Sequence, residues 1–189
     1  LGVKRIIAEF MGKYSNIILV DENGRILDSI KHVTHDRSSV REVLPGGLYE
    51  YPPSQNKLDP MELDFEGFEK IAEEKTGFDL QGLIYKSYTG ISPAYASEIC
   101  FNAGLDASDR AGQLDGGGIK RLYDSFKSDT EKIKRGEYTP HIVYDADGSV
   151  TDFFSLSSNQ YGGREKKNFD SFSKLLEEYY YKKDEKYHV

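Results

Sequence analysis

The sequence has 189 residues, enough for one domain with a substantial core or for two small lobes. Hydrophobic residues make up 38% and charged residues 30% of the chain, and 25 Lys and Arg against 32 Asp and Glu give a formal charge of -7. This composition excludes a chain that is disordered throughout and argues against indiscriminate nucleic-acid binding, because an anionic protein repels phosphates on average. Any RNA contact is therefore expected on a local basic face.

The cysteine content and the lack of long apolar runs indicate in which compartment of the cell the protein acts. The single cysteine, Cys100, cannot form an internal disulfide, which favours a reducing environment. No apolar run approaches the roughly 20 residues that span a bilayer, and the first residues lack a signal-peptide core. We expect a cytoplasmic protein with no membrane partner. Because the chain begins with Leu1 inside an amphipathic stretch, we also expect a fragment of a longer protein.

Residues 1–57 carry the pattern of a β subdomain. Alternating and β-branched residues predict strands at 3–10 and 16–20, and the Asn23-Gly24 turn signal predicts a hairpin to a third strand that ends near Val33. Residues 34–59 are rich in Ser, Pro and Gly, which predicts an ordered but irregular connection.

Residues 58–136 are predicted to form a helical subdomain. Apolar residues at helical spacing predict one helix from Pro60 to about Gly77 and a second that ends at Gly90. A third helix is predicted from Pro93, with Ser92 as its N-cap, because proline is tolerated at the first helical position. The glycines at 116–118 are predicted to be a flexible turn that leads into a fourth helix.

Residues 137–189 are predicted to form a β-hairpin and a C-terminal helix. Strands at 141–145 and 150–156 flank the turn signal Asp147-Gly148, and apolar spacing from 169 to about 181 predicts an amphipathic helix. Because strands and helices are segregated along the chain, the sequence predicts an α+β fold rather than a doubly wound parallel sheet.

The sequence offers no motif for catalysis or for a metal. The histidines His32, His35, His141 and His188 have no metal-ligand spacing, and neither a nucleophile elbow nor a phosphate-binding loop is present. We therefore expect no catalytic residues, no metal and no cofactor.

The turn Gly90-Ile91-Ser92-Pro93 is the first candidate binding element. Free backbone N–H groups at the start of a helix can seat a phosphate or another anion, although a capped helix turn explains the same residues. The basic residues near it and along the fourth helix predict either a basic stripe or a solvated face of mixed charge. They are Lys75, Lys86, Lys120, Arg121, Lys127, Lys132, Lys134 and Arg135.

Residues 9–16 are the second candidate, because Gly12 suits a bend that would present an acid, a methionine, a base and an aromatic together on one edge. Their string, Glu9-Phe10-Met11-Gly12-Lys13-Tyr14-Ser15-Asn16, resembles the Glu-Ile-Met-Gly-Arg-His-Ser-Asn signature of the NFACT-N domain. That domain opens the bacterial RqcH proteins, long known as fibronectin-binding protein A, and their eukaryotic relatives of the NEMF type. Phe10 departs from the usual Ile.

Further matches follow in the family's order, so that the resemblance spans nearly the whole chain. They are Lys31-His32; Ser39, Arg41, Val43, Leu44-Pro45-Gly46, Tyr49, Pro52-Pro53, Gln55 and Lys57; Gly90-Ile91-Ser92-Pro93; and, leading towards the family's coiled coil, Phe172-Ser173-Lys174-Leu175-Leu176 and Tyr179-Tyr180-Tyr181.

The resemblance implies a glycosylase-like NFACT-N fold, truncated at its N-terminus, in which the helices form a helix-two-turn-helix-like subdomain. It also implies a ribosome-associated quality-control factor that is not an enzyme. Such a factor binds the obstructed large ribosomal subunit and tRNA, and supports C-terminal alanine tailing of stalled chains. The implied tRNA- and ribosome-binding residues are Glu9, Phe10, Met11, Gly12, Lys13, Asn16, Arg41, Gly90, Ser92 and Pro93.

Two alternatives stay open at the level of sequence. The older family name implies a surface adhesin that binds fibronectin or fibrinogen, and the glycosylase-like fold implies a DNA-repair protein, although a fold does not carry its activity with it. The sequence carries no signal for an oligomeric state.

Overall fold

The computed structural model describes residues 2–36, 40–53 and 56–185, with the backbone alone for 184 and 185. Ser39 and Gln55 of the motif match, and His188, lie outside these residues. The chain divides into two units, Leu1–Gln55 and Asn56–Val189, which are described in turn. The finer division at 1–57, 58–136 and 137–189 stays a prediction.

The first unit is built on a three-stranded antiparallel sheet of β1 (Arg5–Glu9), β2 (Asn16–Val20) and β3 (Ile26–Ser29), with β2 in the centre. Alternation along β2 directs Ile18 and Val20 into a small core with Ile26 and Val43. The predicted strands are present, but β3 ends earlier than expected. Val33 instead pairs in isolation with Val43 in the irregular segment that follows.

The second unit begins with four helices, α1 (Phe65–Glu74), α2 (Leu80–Ser87), α3 (Pro93–Asn102) and α4 (Gly116–Lys134). Each starts at a side-chain oxygen that accepts a backbone N–H, and the four capping residues are Asp64, Asp79, Ser92 and Asp115. Their apolar faces meet around the rings of Phe68, Tyr88 and Phe126. The four predicted helices and the predicted Ser92 cap are confirmed, but the first helix begins at Phe65 rather than at Pro60, which belongs to a separate 3-10 turn, Pro60–Glu62.

The prediction of a flexible turn at 116–118 is wrong. These glycines form the first turn of α4, where the Asp115 carboxylate accepts the Gly118 N–H at 2.6 Å. A Cβ at position 118 would lie 3.0 Å from the Leu114 side chain, so glycine permits this close approach. The cap and the packing override the low helix propensity of glycine.

The second unit continues with an antiparallel sheet in which β4 (His141–Tyr144) lies between β5 (Val150–Phe154) and β6 (Lys166–Asn168). The helix α5 (Phe172–Glu185) buries Leu175 against Ile142. The sequence predicted the hairpin and the helix but missed β6, whose three exposed polar residues show no alternation. In the described part of the chain, two antiparallel sheets and five α-helices confirm the α+β fold.

A buried carboxylate joins α3 to the segment after β5. Glu98 is fully buried, and its two oxygens accept the backbone N–H groups of Asn159 at 2.6 Å and Gln160 at 2.9 Å. The Asn102 side chain also donates to it at 3.1 Å. Glu98 thereby fixes an irregular segment whose backbone groups would otherwise need other partners.

We expect Glu98→Gln to lower the free energy of unfolding by about 2 kcal/mol, because the amide NH2 would face one of these N–H donors. Urea denaturation of the 189-residue chain measures the change. Glu73→Gln is the matched control on an exposed site of α1 and should leave the midpoint nearly unchanged. Equal midpoints for the two variants would contradict the anchoring role.

Stability is also expected to fall at alkaline pH. Burial, followed by the charge of Asp64, raises the pKa of Tyr88 to about 12, against about 10 in an unfolded chain. A raised pKa means that the folded state retains the proton, so this contribution is complete below pH 10 and is lost as the pH rises through 12. The urea midpoint should therefore fall across this range.

The urea midpoint of Tyr88→Phe should fall less steeply with rising pH. The midpoint of Tyr181→Phe, a change at an exposed site, should fall as it does in the wild type. Some fall should remain because burial beside Asp129 also raises the pKa of Tyr95. Identical pH profiles for all three proteins would contradict the assignment to Tyr88.

Candidate functional site

The corner between β1 and β2 presents residues 10–15, and the backbone at Gly12 makes the bend. Gly12 has a φ of +55°, a left-handed conformation that favours glycine, and begins a short 3-10 turn, Gly12–Tyr14. Apart from Gly12 and its two chain neighbours, no described residue has an atom within 4 Å of the place that a Cβ would take, so backbone conformation rather than crowding explains the glycine. The Met11 N–H donates to Ser15 Oγ at 2.9 Å and closes the turn.

Asn16 holds the far side of this corner. Its side chain is buried, and its amide donates to the Lys31 carbonyl at 2.9 Å while its Oδ1 accepts the Lys31 N–H at 2.9 Å. The Lys31 ammonium in turn donates to the Lys13 carbonyl at 3.0 Å. Asn16, predicted as a binding residue, therefore positions the corner, and Lys31 is a positioning residue that the sequence analysis did not single out.

Glu9 and Arg41, two predicted site residues that lie 32 positions apart in the sequence, form a buried ion pair. Their side chains are 5% and 11% exposed, and the other Glu9 oxygen accepts the Tyr49 hydroxyl at 2.9 Å. Arg41 also donates to the Glu50 carbonyl and lies 5.8 Å from the Tyr49 ring centre. Burial and the neighbouring Glu9 raise the pKa of Tyr49, so the phenol stays protonated and donates.

This buried cluster lies directly before a strongly exposed apolar residue. Phe10 is 90% exposed, Met11 38% and Tyr14 68%, and the Lys13 ammonium lies 5.0 Å from the Tyr14 ring centre. Tyr51 is 84% exposed and makes an edge-on contact with Tyr49 at 5.4 Å. A fixed backbone thus presents apolar and aromatic surface to solvent, which is the composition of a contact surface.

Sequence reasoning did not select Tyr49, Tyr51 or Lys31 for the site. Tyr49 and Lys31 both lie within the stretches that match the family motif, and that position was the available signal. Their contacts with Glu9 and Asn16 join strands to a loop, and such pairings depend on tertiary structure rather than on local spacing.

The second candidate element belongs to the second unit. Gly90 has a φ of +74°, Ser92 Oγ accepts the Tyr95 N–H at 3.2 Å, and Pro93 is the first residue of α3. Gly90, Ser92 and Pro93 are all exposed. The Ser92 cap accounts for the residues of this turn. Binding of an anion by its free backbone N–H groups stays a prediction.

The ion pairs of the α4 cations show which predicted surface this helix presents, a basic stripe or a solvated face of mixed charge. Of the six Lys and Arg side chains at 116–135, five have carboxylate partners on the described surface. They are Lys120, Lys127, Lys132, Lys134 and Arg135. Arg121 has no such partner among the described residues. The helix is therefore mainly a solvated face of mixed charge.

Clusters of metal ligands and membrane-spanning helices are both absent from residues 2–36, 40–53 and 56–185. Within these ranges no three His, Cys, Asp or Glu side chains converge on a possible metal position. None of the described helices is both long and apolar enough to cross a bilayer.

We expect Arg41→Met to destabilise the first unit by about 3 kcal/mol, because it leaves the Glu9 carboxylate buried without its cation. Amide hydrogen exchange in β1 and β2 measures the local effect. Adding Glu9→Gln should restore most of the lost protection, whereas Arg5→Met, at an exposed position of β1, should change little. Equal protection in the Arg41 and Arg5 variants would contradict a structural role for the pair.

The family model of the NFACT N-terminal and middle domains matches residues 2–189. Rqc2 homolog RqcH of Bacillus subtilis is 31% identical over 185 residues, covering 97% of this chain and 30% of that protein. Archaeal Rqc2 homolog aRqcH of Methanocaldococcus jannaschii is 30% identical over 185 residues, covering 96% and 26%. The chain thus spans less than a third of the length of these curated relatives.

Two solved structures resemble the chain as a whole. The fibrinogen binding protein from Staphylococcus aureus superposes with a TM-score of 0.65 at 28% identity, covering 94% of this chain and 59% of that one. The N-terminal part of the fibronectin/fibrinogen-binding protein from Streptococcus suis has a TM-score of 0.56 at 29% identity, covering 93% and 55%. With the family match along the sequence, these likenesses show that the chain belongs to the NFACT-N family of the RqcH-type proteins.

Proposed function

We propose that this chain is the tRNA- and ribosome-binding head of a ribosome-associated quality-control factor, which supports C-terminal alanine tailing of stalled nascent chains. The observation that carries the proposal is the exposed corner after β1, where the buried Glu9–Arg41 pair fixes the backbone and Phe10 is 90% exposed. The relatives of this chain that are named Rqc2 homologs support a role in ribosome-associated quality control.

The chemistry of the corner suits an RNA whose bases are unpaired. Exposed aromatic and apolar side chains such as Phe10, Met11 and Tyr14 offer flat surfaces on which splayed bases stack. A rigid corner lowers the entropy that is lost when such a contact forms. In this proposal Phe10 and Met11 contact tRNA, whereas Glu9, Gly12, Asn16 and Arg41 hold them in place.

The local charge also suits RNA despite the formal charge of -7. Among the described residues, residues 9–16 and the side chains bonded to them include the cations Lys13, Lys31 and Arg41 and the carboxylate of Glu9. Phosphate contacts from Lys13 would orient the tRNA while the apolar residues meet its bases. We propose the Gly90-Ser92-Pro93 turn as a second contact with RNA backbone.

The proposed factor binds and positions, and the ribosome carries out the peptide-bond chemistry. We therefore expect no catalytic residue in this chain, and we expect it to act in the cytoplasm, where translating ribosomes are found.

We expect the double change Phe10→Ala and Met11→Ala to weaken tRNA binding about 10-fold to 100-fold, since a stacked base contributes about 1–3 kcal/mol. Fluorescence anisotropy with labelled tRNA and the 189-residue chain measures the affinity, and tail synthesis by a full-length factor with the same changes measures the function. The thermal midpoint should not move, because both side chains are exposed.

Val3→Ala removes a comparable exposed apolar side chain away from the corner and should bind tRNA like the wild type. Wild-type affinity in the double variant would overturn the proposed role of the corner.

A second candidate function is binding to fibronectin or fibrinogen. The names of the two similar solved structures favour it, since one is named a fibrinogen binding protein and the other a fibronectin/fibrinogen-binding protein. Binding of the wild-type chain to immobilised fibronectin and fibrinogen, measured beside tRNA, separates the two functions. No observation on the described residues favours the DNA-repair alternative, and we do not propose it.

A further inference from the structure

Two lysines of the second unit converge on one aromatic ring. Lys75, directly after α1, and Lys86, on α2, place their ammonium groups 5.5 Å and 5.0 Å from the centre of the Phe78 ring. The Lys86 ammonium also lies 5.6 Å from the Tyr85 ring centre, and that of Lys75 donates to Ser87 Oγ at 2.9 Å. Ring faces and a hydroxyl therefore restrain both cations.

A third cation lies beside the backbone that carries this ring. The Arg110 guanidinium donates to the Gly77 carbonyl at 2.6 Å. The Ala111 N–H donates to the Phe78 carbonyl at 2.9 Å, so the backbone next to Arg110 is also bonded to the residue that carries the ring. Together these residues form the basic-aromatic cluster, which consists of Lys75, Phe78, Lys86 and Arg110.

The three cations of the cluster have no ion-pair partner among the described residues. Asp79 and Asp109 border the cluster in the sequence, but neither lies within ion-pair distance of its cations, and Asp79 accepts the Gly82 N–H at 2.6 Å as the cap of α2. Lys120 on α4 provides a contrast. Its ammonium lies 5.6 Å and 5.3 Å from two aromatic ring centres, but it also pairs with Asp124.

This arrangement favours an anionic ligand. Three cations that gather around one residue repel one another, and a bound anion relieves that repulsion. An ammonium group has three N–H donors, and that of Lys75 uses one of them on Ser87. Phe78 is only partly exposed and packs against the helical core, so the cluster offers charge rather than an open ring for a base. Because its side chains are already restrained, less entropy is lost on binding.

We propose that the basic-aromatic cluster binds neighbouring phosphate groups of an RNA backbone. Lysine contacts phosphate as a point charge, and arginine does so through several N–H groups in one plane. A row of phosphates, rather than a single one, suits cations that come from the end of α1, from α2 and from a separate loop. Such contacts orient the RNA without reading its sequence.

This inference rests on the proposed RNA-binding function and adds a contact on the second unit. The cluster is close in the chain to the proposed contact at Gly90-Ser92-Pro93, because α2, which carries Lys86, ends at Ser87. A phosphate contact contributes to affinity through released counterions, so its loss reduces both the binding constant and its dependence on salt.

The test compares Lys86→Gln with Lys120→Gln in the 189-residue chain. Both changes remove a lysine charge that lies near two aromatic rings, but only Lys120 is paired with a carboxylate among the described residues. Fluorescence anisotropy with labelled tRNA at several salt concentrations gives the affinity and the salt slope. Lys86→Gln should weaken binding about 3-fold to 10-fold and lower the slope by about 1, and Lys120→Gln should change the affinity less than about 2-fold.

Equal effects of these two variants would overturn the cluster as an RNA contact while leaving tRNA binding by the wild type intact. Lys86→Arg keeps the charge and should bind tRNA within about 2-fold of the wild type. A loss of affinity as large in Lys86→Arg as in Lys86→Gln would also overturn the proposal, because charge would not be its cause. Lys86 is exposed, so neither change should move the thermal midpoint.

Titration with inorganic tripolyphosphate, followed by NMR shifts of the backbone amides at 75–78 and 85–87, separates the cluster from the proposed function. We expect shifts in the wild type that are lost in Lys86→Gln. If this result is found but the wild-type chain does not bind tRNA, the phosphate site stands and its RNA source is overturned. Absence of such shifts together with unchanged tRNA binding in Lys86→Gln overturns the site itself.

Binding of poly-glutamate distinguishes RNA from an acidic protein as the partner. Lys86→Gln should weaken tRNA binding more than poly-glutamate binding, because several phosphates along one backbone match the spread of the three cations. A larger effect on poly-glutamate than on tRNA would overturn RNA as the partner of the cluster.

Discussion

A carboxylate removed from water must have its charge and its lone pairs satisfied, and this constraint shapes both units of the chain. In the first unit Glu9 pairs with the Arg41 guanidinium and accepts the Tyr49 hydroxyl. These contacts connect the end of β1 to the irregular segment that follows β3. In the second unit Glu98 receives two backbone N–H groups from the segment after β5. Each carboxylate orders a stretch that has little regular secondary structure, because an unpaired buried charge would cost several kcal/mol.

The same constraint separates residues that position from residues that are free to bind. The family motif includes Glu9, Asn16 and Arg41 together with Phe10, Met11 and Lys13, yet the first three are committed to contacts inside the protein. The family motif therefore contains residues that build the surface as well as residues that are free to face a partner. Phe10 replaces an Ile of the motif at a 90% exposed position, where packing inside the protein places no limit on side-chain volume.

Charge is distributed locally rather than as the formal total suggests. Among the described residues, ion pairs along α4 neutralise most of its cations and leave Arg121 without a counterion, and cations exceed carboxylates around the β1–β2 corner. Pairs on an exposed helix contribute little to stability, but they determine which cations remain available to an anionic partner. A protein with a net charge of -7 can in this way confine attraction for phosphate to particular sites.

The sequence by itself determined the existence of the helices, the Ser92 cap and both hairpins, because apolar periodicity, Ser92-Pro93 and the Asn-Gly and Asp-Gly turns are local signals. The family followed from the motif at 9–16 and the matches in order behind it. Only the tertiary structure decided that Glu9 contacts Arg41 and Tyr49 and that glycines 116–118 form a helical turn. It also decided that Arg121 has no counterion among the described residues. These outcomes depend on which distant groups share a desolvated environment, and spacing along one chain does not encode that proximity.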